Sequence, residues 1–141
     1  MEKSRTSVHD NHLVAYTVFS EERKIVIQTV YLHKVPSEFT DVIFEDVLAY
    51  RFEHDLFGNI IFDVCEMDLA VLTDTHAAEF EAGWRHGWPW GWEKNKESVL
   101  SYFQRLEVKA FELSSSYGMT GWVVAKQMTK AARNPADETR P

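Results

Sequence analysis

The first third of the chain alternates hydrophobic and polar positions in the manner of β-strands. Residues 12–19 (HLVAYTVF) and 24–33 (KIVIQTVYLH) are rich in Val, Ile, Thr and Tyr, which are favoured in strands. The charged link SEER between them is short enough for a hairpin. The second segment carries apolar residues on both parities, so we expect it to be covered on both faces until Pro36 ends it.

Residues 41–53 alternate more cleanly and predict a half-buried third strand. Asp41, Glu45 and Arg51 fall on the polar parity, and the apolar parity consists of Val42, Phe44, Leu48, Tyr50 and Phe52. Asp46 interrupts the apolar parity, which leaves either a bulge or a short helical turn open near EDVLAY.

The segment NIIFDVCEMDLAVLTD predicts a fourth strand after a Gly-Asn turn. On one parity the residues are apolar at Ile60, Phe62 and Val64. The next two positions of the same parity are the acidic Glu66 and Asp68. The change predicts a second bulge or the point at which the strand leaves the core.

Two helical stripes follow. The segment THAAEFEAGWRHG (75–87) has helical spacing between its apolar residues Ala77, Phe80 and Trp84. Thr75 is suited to cap this helix and Gly87 to end it. The segment NKESVLSYFQRL repeats the pattern, with Asn95 as the candidate cap and an apolar stripe formed by Val99, Phe103 and Leu106.

Two further strands, EVKAFELSS and MTGWVVAKQM, are joined by SYG. Gly118 and Gly121 suit a hairpin turn or a close backbone approach that only glycine permits. Trp122 shares its parity with Val124 and is expected in the core.

The order of elements predicts an α+β domain, with a mostly antiparallel sheet of about six strands and two short helices between strands four and five. We expect one domain over residues 12–130. Residues 1–11 are expected to form a flexible N-terminus. Residues 131–141 (AARNPADETRP) are too polar to bury much surface and predict a disordered tail.

The net charge of −7, from 15 basic and 22 acidic residues, opposes binding to nucleic acid and favours a basic protein partner. The N-terminus has no apolar signal segment, and no run is long enough to cross a membrane. We therefore expect a cytoplasmic protein without a membrane partner. The single Cys65 lies in an apolar stretch and is expected to be buried as a small hydrophobic residue.

The segment GWRHGWPWGW (83–92) concentrates four tryptophans in ten positions. Trp84 belongs to the predicted helical stripe. Trp88, Trp90 and Trp92 share one parity if the segment is extended, which predicts an aromatic row with His86 beside it. Such a row can plug an open end of the sheet, anchor a protein interface, or form a platform for a small ligand. We take these four residues, Trp88, Trp90, Trp92 and His86, as the candidate partner- or ligand-binding site.

The sequence shows no strong signal for catalysis or for a cofactor. His9 and His12 are three apart beside Asp10, but the following strand starts at His12, so a shared metal is not expected. The acids Asp63, Glu66 and Asp68 would form a cation or acid–base site only if a bulge turned them to one side. The common catalytic signatures are missing. We therefore predict no catalytic residue, no metal site and no cofactor.

Three stretches, SSSYGMTGWVVAKQM (114–128), FEDVLAYRFE (44–53) and GNIIFDVCE (58–66), resemble the pattern of the YxiG-like domain proteins, a small bacterial group. The resemblance covers about a quarter of the chain and lies in strands and turns. It implies a compact cytoplasmic domain of unknown activity, whose relatives in some bacteria look like companions of secreted or contact-dependent toxins. Such small acidic companions often serve as immunity proteins. It implies no catalytic residues, and the tryptophan-rich segment departs from the group's pattern.

Two functions remain open. In the first, the protein is a non-catalytic protein-interaction domain, for example an immunity-type inhibitor, that covers a basic partner with acidic residues and residues 88–92. In the second, an aromatic-lined pocket that includes Tyr50, Phe52 and Trp90 binds a small molecule or acts on it. The sequence favours the first. It leaves open the identity of the partner and whether the chain forms a homo-oligomer.

Overall fold

The computed structural model describes residues 7–134. Its strands are β1 (His12–Phe19), β2 (Lys24–Tyr31), β3 (Glu38–Glu53), β4 (Ile60–Met67), β5 (Lys109–Tyr117) and β6 (Thr120–Arg133). Its helices are α1 (Leu69–Thr75), α2 (Ala77–Trp84) and α3 (Val99–Arg105). All strand pairs are antiparallel, and they close a barrel in the order β1-β2-β3-β6-β5-β4. The predicted α+β composition with an antiparallel sheet is confirmed.

The prediction of two helices is wrong, because the described chain has three between β4 and β5. The additional helix, α1, occupies the second half of the segment that the alternation assigned to the fourth strand. Asp68 explains the change, since its side chain accepts hydrogen bonds from the backbone N–H groups of Ala70 and Val71 and caps α1. The parity change at Glu66 and Asp68 therefore marks the point where β4 ends, one of the two outcomes it predicted.

Buried side chains from β2, β3, β4, β5 and β6 fill the barrel interior. From β1, only the half-buried Leu13 packs against them. We call this cluster the interior core. Its buried members are Val8, Ile25, Ile27, Val42, Phe44, Val47, Ile61, Val64, Phe111, Leu113, Met119, Val123 and Ala125.

A second hydrophobic cluster lies between the opposite face of β3, β6 and β5 and the three helices. We call it the outer core. Its buried members are Ala49, Leu72, Phe80, Tyr102, Phe103, Val108, Ala110, Trp122 and Val124. Trp122 and Val124 are buried as predicted, with 3% and 0% of their surface exposed. They face the helices, whereas Val123 and Ala125 between them face the interior core.

The predicted irregularity in β3 is a bulge, because the register against β6 shifts between Val47 and Ala49. Val47 packs in the interior core and Ala49 in the outer core. Because of the bulge, Val47 rather than the charged Asp46 faces the interior core. The predicted apolar face divides accordingly: Leu48 packs against the outer core, and Tyr50 is 38% exposed.

Two predicted helix caps are wrong. Thr75 is the last residue of α1, and His76 occupies the N-cap position of α2. Ser98, rather than Asn95, caps α3 by accepting a hydrogen bond from the backbone N–H of Ser101. Ser98 lies directly before α3 and has a side chain suited to capping, whereas His76 makes no side-chain capping hydrogen bond to α2. Gly87 adopts a positive φ of 75° in the turn after α2.

The ends of the predicted domain are partly described. Val8 and Asn11, within the predicted N-terminal segment 1–11, are fully buried, and β6 continues to Arg133, past the predicted boundary at 130. Residues 1–6 and 135–141 of the two predicted flexible segments lie outside the described residues. Cys65 is exposed on β4, so its predicted burial is wrong.

Candidate functional site

The tryptophan-rich segment folds into a series of turns after α2, and the predicted aromatic row does not form. We call residues 87–92 the Trp loop. Trp88 turns inward and stacks on Phe80, with ring centroids 5.2 Å apart and an interplanar angle of 10°. Trp92 is half-buried against the outer core, and its indole N–H donates to the carbonyl of Glu97 at 2.9 Å. Trp90 points away from the protein and is 70% exposed. The predicted row required an extended segment, and consecutive turns replace the alternation with a period of two on which it depended.

The backbone of the exposed Trp90 is hydrogen-bonded to a residue of the outer core. The hydroxyl of Tyr102 donates to the Trp90 carbonyl oxygen at 2.7 Å. Burial raises the pKa of Tyr102, which keeps its hydroxyl protonated and able to donate. The guanidinium of Arg23, in the β1–β2 turn, lies 5.1 Å from the centre of the Trp90 ring, within cation–π distance. Trp90 is therefore an exposed ring on an anchored backbone.

A cleft of about 260 Å³ lies beside Trp90, between the Trp loop, the β1–β2 turn and the edge of β3. Its walls include Phe19, Arg23, Tyr50, Trp88 and Trp90. Tyr50 and Trp90 were predicted to share an aromatic-lined pocket, and they do line this cleft together.

Phe52, the third residue predicted for that pocket, packs against the interior core instead. His86 is exposed and lines an adjoining shallow groove with Tyr50 and Trp88. The candidate residues thus divide. His86 and Trp90 are exposed, whereas Trp88 and Trp92 pack against the outer core. The part of Trp88 that remains accessible lines both the cleft and the groove.

A separate pocket of about 200 Å³ lies where α2 crosses the sheet, and we call it the Glu79 pocket. Arg51 of β3, Trp122 of β6 and Glu112 of β5 form one row of cross-strand neighbours on its floor. His76 and Glu79 at the start of α2 form its opposite wall.

Sequence reasoning missed the Glu79 pocket, because its residues come from three strands and a helix with no shared local spacing. Only the His76–Glu79 spacing of three residues was readable, and it also suits an ordinary helix start. The pairing of β3 with β6, which brings Arg51 beside Trp122, joins strands far apart in the sequence.

The polar groups of the Glu79 pocket are connected to one another. Glu79 contacts His76 Nδ1 through Oε1 at 3.1 Å. Its other oxygen, Oε2, lies 3.6 Å from Nη1 of Arg51, beyond hydrogen-bond distance. The Arg51 Nε donates to Glu53 Oε1 at 2.6 Å.

The two metal or acid–base clusters considered from the sequence do not assemble. His9 packs edge-on against Phe62 outside any helix. Asp63 lies 3.7 Å from Lys130, Glu66 lies 3.7 Å from Lys109, and Asp68 caps α1. Across residues 7–134, no three His, Cys, Asp or Glu side chains converge on a site for a metal ion.

Comparisons with known proteins add no assignment to this geometry. No protein-family model matches the chain, and comparisons with curated proteins and with solved structures likewise give no match. In the part of the chain that the structure describes, no helix has the length and apolarity needed to cross a lipid bilayer.

Proposed function

We propose that this protein is a non-catalytic protein-interaction domain whose contact surface is centred on Trp90 and the cleft beside it. The observation that carries the proposal is a tryptophan ring 70% exposed on a backbone anchored by the buried Tyr102. Tryptophan and arginine are enriched among the residues that dominate binding energy at interfaces. Here the two are adjacent, since Arg23 packs on Trp90.

The anchoring of Trp90 favours binding because a fixed ring loses little conformational freedom in a complex. The backbone is held by Tyr102, and the ring by Arg23. A tryptophan side chain contributes about 150–250 Å² of contact area. The surface around Trp90 is therefore already in a fixed conformation before a partner binds.

The size of the cleft favours a side chain of a partner over a free small molecule. Pockets that enclose drug-sized ligands measure about 300–1,000 Å³, and this cleft measures about 260 Å³. The adjoining groove measures about 590 Å³, but it is a shallow, open surface and does not enclose a ligand. The cleft accommodates one large side chain next to Trp90.

The charge of the chain favours a basic partner. The net charge is −7, and the exposed Glu21 and Glu22 lie in the turn next to Phe19, which lines the cleft. Such a field increases the rate of encounter with a positively charged protein. A basic toxin covered by an immunity-type inhibitor is the partner that the YxiG-like resemblance suggests.

The test uses a photo-crosslinking amino acid at position 90, with the same residue at Val35 as the control. Val35 is 96% exposed and follows the opposite end of β2 from Arg23. We expect crosslinking in cells of the source to yield a discrete product from position 90 only. The crosslinked protein, purified after identification, should be basic and should bind Trp90→Ala about tenfold or more weakly than wild type, as expected at a hot spot.

Equal binding of wild type and Trp90→Ala by the identified partner would contradict the proposal. So would a product from position 90 that forms with purified protein alone, because it would show that the surface joins two copies of this chain.

A further inference from the structure

The Glu79 pocket contains two buried polar atoms that have no hydrogen-bond partner within the described structure. One is the indole Nε1 of Trp122, a residue only 3% exposed, and the other is Oε2 of Glu79. Both residues line the pocket. A buried polar group without a partner is costly, and native proteins rarely leave one without a reason. The first atom is a donor that needs an acceptor, and the second is an acceptor that needs a donor.

The charges around the pocket define the group that suits Glu79. Three carboxylates, Glu53, Glu79 and Glu112, line it with a single guanidinium, that of Arg51. One carboxylate, Glu53, already accepts a hydrogen bond from Arg51. Glu79 lies 3.6 Å from Arg51 Nη1 and 3.1 Å from His76 Nδ1, but three carboxylates against one guanidinium leave the pocket with an excess of negative charge. That excess favours a cationic donor, such as an ammonium group, over a neutral one.

The opposite requirement applies at Trp122. Trp122 of β6 lies directly opposite Arg51 of β3, and both residues line the pocket. Arg51 donates to Glu53 through Nε, and its Nη1 lies 3.6 Å from Oε2 of Glu79, beyond hydrogen-bond distance. An indole N–H beside a guanidinium with donors to spare suits an anionic oxygen.

We propose that the Glu79 pocket binds a small zwitterion, an α-amino acid, with its ammonium group on Glu79 and its carboxylate on the Trp122 indole N–H and Arg51. The pocket volume of about 200 Å³ fits a molecule of that size. This site goes beyond the proposed protein-interaction function, because its ligand is a small molecule and none of its residues lines the cleft beside Trp90. Arg51 and Glu79 also line the groove that adjoins the cleft.

Access to the two atoms requires a local rearrangement. Both are covered against solvent by their neighbours, and the His76 ring lies 5.6 Å from the ring of Trp122 while Nδ1 contacts Glu79. The proposed binding therefore includes a rotation of the His76 side chain at the N-cap of α2 and of the Glu79 side chain in its first turn. The ligand then occupies the space between them.

The test follows the indole N–H resonances of the full chain by ¹H–¹⁵N NMR during titration with L-alanine. We expect the Trp122 resonance to shift in a saturable way, because its N–H acquires an acceptor, while that of Trp90 stays in place. Two analogues separate the recognised groups: alaninamide lacks the carboxylate, and N-acetylalanine lacks the ammonium. Both should bind about tenfold or more weakly than L-alanine.

Two variants complete the test. Glu79→Gln keeps the shape and removes the charge, and it should weaken L-alanine about tenfold or more. Glu81→Gln changes an exposed carboxylate on the same helix that is paired with Lys94, and it should leave the affinity unchanged.

Two results would overturn the proposal. The first is the absence of a saturable shift of the Trp122 resonance with L-alanine. The second is equal binding of either analogue, which would show that one of the two charged groups is not recognised. None of these measurements involves a protein partner, so their failure is distinct from failure of the crosslinking test at Trp90.

Discussion

Trp90 and Trp122 are the same residue type in opposite environments. Trp90 is 70% exposed and Trp122 is 3% exposed. Trp90 contacts Arg23, whereas Trp122 packs among the rings of Phe80 and Trp88 in the outer core. Their side chains therefore serve a surface and a core, respectively, and their removal should have different costs.

We expect Trp90→Ala to lower the free energy of unfolding by no more than about 1 kcal/mol, because it removes an exposed ring and one exposed cation–π contact. Trp122→Ala should lower it by about 3–5 kcal/mol, the usual cost of truncating a buried aromatic side chain. Urea denaturation of both variants measures the difference. Similar losses in the two would show that the Trp90 ring is packed rather than exposed.

Quenching of tryptophan fluorescence by acrylamide provides an independent check at the same residue. Trp90 is the only tryptophan of the five with most of its surface exposed. We expect Trp90→Ala to lower the readily quenched fraction of the emission, and Trp92→Phe to lower it much less. An unchanged quenched fraction in Trp90→Ala would contradict the exposed position of the ring.

The carboxyl group of Asp55 makes the stability of the fold depend on pH in the acidic range. A hydrogen bond from the Asn59 amide, followed by one from the Phe57 backbone N–H, lowers the pKa of Asp55 below its ordinary value of 3.8. Because the pKa of Asp55 is lower in the folded state than in the unfolded state, its carboxylate stabilises the fold at any pH above the ordinary pKa. That contribution is lost as the pH falls through the lowered pKa.

We therefore expect the wild type to lose stability more steeply than Asp55→Asn on acidification below about pH 4. Thermal unfolding over a pH series measures this difference. Glu21→Gln, at an exposed turn carboxylate, serves as the control and should follow the wild type. Parallel acid profiles for wild type and Asp55→Asn would rule out the stabilising role of this carboxylate.

At the scale of elements, the helices depend on their ends and on the outer core. They contain seven or eight residues each, and isolated helices of that length are unstable in water. Asp68 caps α1 through two backbone N–H groups. The cap also ends β4, so one side chain terminates a strand and starts a helix.

We expect Asp68→Ala to lower the free energy of unfolding by about 1 kcal/mol, the typical contribution of an N-cap side chain. Asp74→Ala is the matched control on the same helix. Asp74 lies near the C-terminus of α1, where a negative charge opposes the helix dipole, so its removal should be neutral or slightly stabilising. Equal losses in the two variants would contradict the capping role.

Gly83 determines how closely the Trp loop packs on α2. A β-carbon at this position would collide with the ring of Trp88. Gly83→Ala gains about 1 kcal/mol of helix propensity, but overpacking of this kind usually costs about 1–3 kcal/mol. We expect a net loss of stability in Gly83→Ala that disappears when the same change is made in a Trp88→Ala background. A loss of the same size in both backgrounds would show that the contact is not responsible.

At the scale of the whole molecule, one sheet supports two cores. The interior core fills the barrel, and the outer core joins the helices to the opposite face of β3, β6 and β5. Ile27 belongs to the first and Phe103 to the second, and both are fully buried. The helices make far fewer contacts with one another and with the sheet than the strands make with each other. This difference favours opening of the three helices as a separate unit.

We expect Phe103→Ala to increase amide hydrogen exchange mainly in α1, α2 and α3, while amides of β2 and β3 keep their protection. Ile27→Ala should reduce protection in the barrel and in the helices together, because the helices have no support without the sheet. Native-state hydrogen exchange resolves these patterns. Uniform loss of protection in both variants would show a single cooperative unit.

The sequence by itself determined the strands, because alternation with a period of two records which side chains face a core wherever one sheet face is covered. It located β1, β2, β5 and β6, and it located an irregularity in β3 that could be a bulge or a helical turn. For Gly118 and Gly121 it left a hairpin turn or a close backbone approach open, and the structure has the close approach at Gly121, where a β-carbon would collide with the Arg51 carbonyl oxygen.

Tertiary structure alone decided what faces the surface around the Trp loop and the Glu79 pocket. Trp88 and Trp92 turn inward and Trp90 outward because Phe80, Glu97 and Tyr102 hold them there. Arg51 meets Glu112 across Trp122 only because the barrel pairs β3 with β6 and β6 with β5. A local pattern records the burial of one residue against its neighbours, but pairing between distant strands depends on closure of the whole sheet, and no local pattern contains it.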